Sequence, residues 1–382
     1  MIKVGFVGAV SKEWMGGLNY FKNLLFSLKS LKNQELQVYV FVGKKTDIEI
    51  KKMFQKYATV IEDSLFDRES LKWFFMKIET KIFKTNYLYE NFFKKNNIQI
   101  LSHSFLTNFK NIKTINWIPD FQHIHLPEMF TEEEIKQRNK TYFQVIKQSD
   151  MIVLSSYDAL EDLKKFAPGY EKKVKVLQFV SQPTDKYHEL NKKNEDELIE
   201  KYNIKNDFYY MPNQFWKHKN HMLVMKAIHL LKQENININL VCTGHLLDYR
   251  NKSHIENIKD YIAKNNLAEN IKLLGLVDYK DVFGLIKISR AVINPSLFEG
   301  WSSTVEECKS VGKNMILSDL IVHKEQYPDA TFFDRHNVES LKNVLRNYKD
   351  KKVTYSMNTL KLKTKKFANT YLLICKEVAQ TS

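Results

Sequence analysis

The chain predicts an α/β fold of two Rossmann-like units. Three observations carry this: its 382 residues, an alternation of short apolar runs with longer amphipathic stretches, and a break in that alternation near the middle. A chain of this length exceeds what one hydrophobic core ordinarily organises, so two domains are expected. With 43% hydrophobic and 27% charged residues it has ample material for packed cores and no compositional mark of disorder. Short β-branched runs alternating with amphipathic segments are the pattern of parallel sheets covered by helices. The first half supplies strands near 2–8, 36–42, 98–101, 113–117, 151–155 and 174–177. The second supplies strands near 207–211, 237–242, 270–273, 290–294, 314–318 and 329–333, separated by helical segments such as 220–233, 251–265 and 303–311. Between them Phe179-Val-Ser-Gln-Pro-Thr-Asp185 ends one series and contains a proline, which places the linker there and divides the chain into domains 1–180 and 181–355.

Composition excludes several classes. The cysteines Cys242, Cys308 and Cys375 are distant, odd in number and without metal-ligand spacing, so neither a disulfide framework nor a zinc site is expected and a reducing compartment fits. The opening Met1-Ile-Lys-Val-Gly-Phe-Val reads as a buried strand rather than a signal peptide, and no apolar run is long enough to span a bilayer, so a cytoplasmic protein with at most peripheral membrane contact is expected. The net charge of +15 is shared between residues 1–180 (+8) and 181–382 (+7) instead of forming one basic arm. That distribution weakens a nucleic-acid reading, and an anionic membrane or an anionic acceptor explains diffuse positive charge equally well.

In open parallel sheets ligands bind where strands run into helices, and the richest such place follows the strand at 290–294. Ser303 and Glu306 have capping-box spacing, which predicts a helix from 304 to the C-cap Gly312 and makes Glu306 structural. Glu299 in the preceding loop and Glu307, one turn into the helix, then flank a helix N-terminus. Free N–H groups there suit phosphate and nearby carboxylates suit sugar hydroxyls; the alternative is that both glutamates are solvated surface charges. After the strand at 207–211, Met211-Pro-Asn-Gln-Phe-Trp-Lys-His-Lys-Asn-His221 places a Lys-His-Lys cluster at a helix start, where positive charge is unfavourable unless an anion binds.

Taken together, Pro295-Ser-Leu-Phe-Glu299-Gly-Trp, Glu307, Gly312, Ile316-Leu-Ser-Asp319, His323-Lys-Glu325 and Leu274-Gly-Leu-Val277 resemble the donor site of family 4 glycosyltransferases, with its Glu-x7-Glu pattern, over most of residues 205–335. The resemblance implies a GT-B architecture of two facing Rossmann-like domains with a cleft between them. It also implies a last helix, within 356–382, that packs back on the first domain. By resemblance Glu307 holds the donor ribose, Glu299 contacts the transferred sugar, and the N–H groups of Ser302, Ser303 and Thr304 meet the diphosphate. Asn213, Lys217, Lys219 and Val277 complete the donor set. The family's arginine position is occupied by Gln214, while Lys219 matches its lysine.

In the first half Gly16 and Gly17 open a helix, as in family members whose glycines face the donor phosphates; G-x-G-x-x-G is absent, which argues against a dinucleotide cofactor. The loop Asn116-Trp-Ile-Pro-Asp120-Phe-Gln-His123-Ile-His125 reads as a rigid polar wall. Asp120 matches the family, Pro119 stands where a histidine is usual, and His123 is the candidate replacement. His125 reads as packing or surface, and the two histidines lack a third metal ligand nearby. Residues 68–97 carry seven cationic and three acidic side chains among many aromatics. They read as a membrane or lipid-acceptor patch and, compatibly, as one long helix whose aromatics are core.

The combined expectation is a retaining enzyme that moves a hexose from a nucleoside-diphosphate sugar to a glycan or lipid-linked acceptor in surface polysaccharide or lipopolysaccharide biosynthesis. Glu299, His123, Asp120 and Lys219 form its catalytic set, and no metal or cofactor is required. It would act in the cytoplasm or at the inner face of the membrane. A GT-B sugar-nucleotide epimerase and a non-catalytic glycan- or lipid-binding module are the alternatives.

Overall fold

The computed structural model describes residues 1–8, 15–32, 35–83, 85–205, 207–248, 250–251, 253–351 and 356–380. The first unit comprises Met1–Phe121, Thr131–Val180 and Leu360–Ser382, and the second comprises Gln122–Phe130 and Ser181–Thr359. Residues 122–130 therefore group with the second unit, not with the sequence that surrounds them.

The first unit is built on strands β1 (Ile2–Val7), β2 (Leu36–Val42), β3 (Thr59–Glu62), β4 (Ile100–Ser102), β5 (Lys113–Ile118), β6 (Met151–Leu154) and β7 (Val174–Val176). All pair in parallel, in the order β3-β2-β1-β4-β5-β6-β7. The short strand β3 is absent from the expected set. It lies at the sheet edge with its terminal residues exposed, so its four residues lack the continuous apolar run that marks a buried parallel strand.

Residues 68–97 form two helices, Leu71–Ile78 and Tyr87–Lys95, joined through a π turn at Glu79–Phe83, and not one long helix. Glu79 explains the break. Its carboxylate accepts from the Thr85 hydroxyl (2.7 Å), the Leu88 N–H (3.0 Å) and the Tyr87 N–H, so it serves as an external cap for the second helix. Helix Met357–Gln380 packs on the first sheet: Tyr371 donates to Ser102 at the end of β4 (2.8 Å).

The second unit holds β8 (Tyr209–Pro212), β9 (Leu240–Thr243), β10 (Ile271–Gly275), β11 (Val292–Asn294), β12 (Met315–Ser318) and β13 (Thr331–Phe333), parallel in the order β10-β9-β8-β11-β12-β13. Both faces of this sheet are buried, and side chains alternate between two cores with period two. Tyr209, Met211, Leu240, Cys242 and Ile293 enter one; Tyr210, Val241, Val292, Met315 and Leu317 enter the other. Two parallel-sheet Rossmann-like units are thus what the alternation predicts. The three cysteines are free and buried.

Candidate functional site

In the second sheet β9 and β10 lie on one side of β8, and β12 and β13 lie beyond β11. The direction of winding reverses between β8 and β11, and the crevice outside the carboxyl ends of two such strands is where parallel sheets take ligands. The loops that leave these two strands carry most of the predicted residues.

After β8 the backbone is fixed by contacts its neighbours impose. Gly244, beyond β9, has φ of +136°, and a Cβ there would sit 2.3 Å from the Asn213 carbonyl oxygen, so only glycine lets the two loops approach. Gln214 Oε1 accepts from the His245 N–H (3.0 Å). The Lys217 N–H donates to the buried carboxylate of Asp248 (2.9 Å), which also receives Arg250 Nε at 3.4 Å. Lys217–Lys219 form a 3-10 turn and Asn220 adopts φ of +57°, so the helix starts only at His221 (His221–Gln233). The Asn220 amide ties this turn to the loops after β11 and β13, donating to Pro295 O (3.2 Å) and Arg335 O (3.0 Å).

The result is an ion pair. Lys219 Nζ lies 2.6 Å from Glu299 Oε1, with side-chain exposures of 14% and 10%. The Ser296 hydroxyl lies 2.7 Å from both Glu299 Oε1 and Asn294 Oδ1. Burial by itself would raise the Glu299 pKa, but the Lys219 ammonium, the field of His323 and the hydrogen bond from Lys219 outweigh it and hold the carboxyl at about 2. His218, between Lys217 and Lys219, is buried. Desolvation and the neighbouring Lys219 keep its pKa well below the usual range, so it is neutral.

The helix after β11 is Ser303–Ser310, and its N-cap differs from the expected one. Ser302 is the N-cap residue, and the capping box between Ser303 and Glu306 does not form. Gln326 caps instead: its Oε1 accepts the Ser302 N–H (3.0 Å), while its Nε2 donates to Ser302 O (2.8 Å) and to Glu306 (3.0 Å). The Ser302 N–H is therefore occupied and does not belong with the phosphate-facing groups. Glu306 is structural, as expected, and pairs with Lys309. The N–H groups of Ser303 and Thr304 lie in the first turn, where an α-helix leaves its donors without intrahelical partners.

Asn213 and Thr304 tie elements together. The Thr304 hydroxyl donates to Asn213 Oδ1 (3.3 Å), and the Asn213 amide donates to Asn294 Oδ1 (3.3 Å), linking the ends of β8 and β11 to the helix. Glu307 is buried, and Tyr279, at the start of helix Tyr279–Ile288, donates to its Oε1 at 2.7 Å. Burial and the Glu307 charge keep the Tyr279 phenol protonated well above its usual range, so it remains a donor at all working pH values. Val277 is half-buried and packs against the core around Phe208 and Tyr210.

Of the remaining predicted residues, Gly16 and Gly17 lie in the first turn of helix Met15–Ser30 in the first unit, and the loop at 9–14 that precedes it lies outside the described residues. Asp120 is also in the first unit, where its charge bears on Tyr142. Asn116 and Trp117, expected in a polar wall, are core residues of β5. The Asn116 side-chain Oδ1 accepts from the Ser104 (3.2 Å) and Phe105 (2.8 Å) N–H groups. His123 is buried in the short helix Gln122–His125 of the second unit, and His125 is exposed with its ring centroid 5.0 Å from that of Phe298, beside Glu299. Among the described residues no group of three or more His, Cys, Asp or Glu side chains is arranged to hold a metal ion.

Residues 193–361 match the family model described as Glycosyl transferases group 1. The match contains every residue of the Lys219, Glu299 and Glu307 constellation. Solved structures similar to the whole chain include a glycosyltransferase from Rickettsia africae (17% identity, TM-score 0.70, covering 100% of this chain and 99% of that one). Anabaena HepE in complex with UDP and glucose also aligns (12% identity, TM-score 0.68, 100% and 99% covered). So does the lipopolysaccharide outer core galactosyltransferase WaaB in its apo form (13% identity, TM-score 0.60, 99% of each chain covered). At these identities the likeness carries the fold, which is GT-B. No curated protein matches the chain.

Proposed function

We propose that the protein is a retaining glycosyltransferase of family 4 that moves a hexose from a nucleoside-diphosphate sugar to a glycan or lipid-linked acceptor hydroxyl. The observation that carries this reading is the placement of Lys219, Glu299, Glu307 and the first turn of Ser303–Ser310 around one switch point. Fixed positive charge and helix N–H groups stabilise a departing diphosphate, and carboxylates accept hydroxyls of ribose and sugar. Lys219 has three donors and uses one on Glu299, which leaves two for phosphate oxygens. Glu307, held by Tyr279, receives the ribose hydroxyls. Lys217 adds charge at the rim.

In the transfer the bond from the anomeric carbon to the diphosphate breaks, and a bond to the acceptor oxygen forms as that hydroxyl passes its proton to an oxygen of the departing diphosphate. The negative charge that appears on the diphosphate meets groups already oriented by Gln326, Asp248 and Asn220, so little reorganisation accompanies it. Glu299 orients the sugar, and Asp120 and His123 serve the acceptor side. We take the reaction to need no resident metal. The Anabaena and lipopolysaccharide-core structures support a UDP donor and a surface-polysaccharide or lipopolysaccharide pathway, with the enzyme in the cytoplasm at the inner face of the membrane. No helix among the described residues is long and apolar enough to cross that membrane.

A panel of nucleoside-diphosphate hexoses followed by proton NMR without acceptor tests this reading. Slow release of the sugar with the donor's anomeric configuration is expected. Release of the opposite anomer contradicts retention, and conversion to an epimer with no cleavage supports the epimerase.

A further inference from the structure

Large apolar side chains are concentrated on one surface of the first unit. Phe74 (56% exposed), Phe75 (61%), Ile82 (66%) and Phe83 (69%) lie within ten residues, with Leu71 and Tyr87 on either side. The opposite side of the same segment is fixed: Met76, Tyr89 and Phe93 are buried in the core beneath β2 and β4. The exposed residues therefore do no packing work inside the unit, and a cluster of this size on a water-facing surface marks an interaction site. Between helices Leu71–Ile78 and Tyr87–Lys95 runs a groove of about 740 Å³ whose walls include Leu65, Phe75, Ile78, Phe83, Leu88 and Phe92.

The rim decides between occupants. Lys72, Lys77, Lys81, Lys94 and Lys95 are exposed around the aromatics, and residues 68–97 hold seven cationic against three acidic side chains. Lys77 lies over the Trp73 ring at 5.4 Å, whereas Lys81 and Lys95 form no ion pair among the described residues. A second copy of the chain would bring one cationic rim against another. An anionic bilayer meets the lysines with opposite charge, while aromatic and aliphatic side chains enter the boundary between headgroups and acyl chains.

We propose that this face docks the protein on an anionic bilayer, with the groove between the two helices taking up a lipid acyl chain. The proposal deepens the membrane-side location in the functional reading and rests on it for its biological purpose, but bilayer binding requires no transfer chemistry.

Sedimentation of the full chain with phosphatidylcholine vesicles, with and without phosphatidylglycerol, tests it. Binding is expected only with the anionic lipid. The double substitution Phe75→Asp with Phe83→Asp should weaken it at least about tenfold, and Lys81→Glu with Lys95→Glu should weaken it and reduce its salt dependence. All four side chains are exposed, so unchanged thermal unfolding and unchanged nucleotide binding are expected in both variants. Absence of binding to anionic vesicles would overturn the proposal. So would binding that the phenylalanine substitutions leave intact, which reports charge alone, or a dimer that those substitutions dissolve. Vesicle binding retained by a protein that binds no nucleotide would remove the transferase reading and leave this one standing.

Discussion

Lys219 and Glu299 are both largely withdrawn from water, so each depends on the other. Removing one partner of a buried pair leaves an uncompensated charge, at a cost on the order of 3–5 kcal/mol, whereas removing both costs less. Urea unfolding should therefore show Lys219→Ala to be more destabilising than Lys219→Ala combined with Glu299→Ala. The single substitution should hurt less near pH 5 than at neutral pH, because burial without the ammonium raises the Glu299 pKa and lets a proton replace it. Destabilisation of the double variant by the sum of the two single variants would mean that the pair is not coupled. Lys219, Glu299 and Glu307 were legible in the sequence because they stand in short words beside recognisable strand ends. Their supports were not. Tyr279 lies 28 residues from Glu307, Asp248 lies 31 from Lys217 and Gln326 lies 24 from Ser302, and such pairings exist only once the sheet order is known.

At the scale of elements, the runs of apolar β-branched residues placed every buried strand, since a parallel strand covered on both faces leaves a continuous apolar signature. The edge strand β3 has only one neighbour and half-exposed side chains, so its signature fades. Helix caps leave a weaker trace in the sequence for a related reason. The Ser303 and Glu306 spacing is a local pattern, and it lost to a tertiary cap from Gln326 that satisfies Ser302 at both its N–H and its carbonyl. The break at Glu79–Phe83 follows the same logic, with one carboxylate capping a helix that periodicity alone would have continued. That break also creates the groove, because a single unbroken helix would have no second wall.

At the scale of the molecule, buried imidazoles set the acid limit of stability. Desolvation lowers His103 and His221 to about 3 and His323 to about 4, from an ordinary value near 6.5. The unfolded chain binds these protons first, so the stabilisation is complete above about pH 6.5 and is lost as pH falls through the folded-state values. Between about pH 6.5 and 5 the loss should be on the order of 1–2 kcal/mol per imidazole, while Glu299 stays ionised. The urea midpoint should thus fall steadily from pH 7 to pH 5; a flat midpoint would mean that these rings find solvent or a counter-charge. Whether the β8–β11 crevice of the second unit holds a nucleoside diphosphate is decided by thermal unfolding with UDP, GDP, dTDP and ADP, repeated with Glu307→Ala and Lys219→Ala. A ligand at a hundredfold excess over its Kd stabilises the folded state by about 2.7 kcal/mol, a shift of several degrees. Such a shift is expected with one nucleotide, together with its loss in both variants, whereas no shift with any of the four, or a shift that survives both substitutions, would mean that this crevice holds no nucleoside diphosphate.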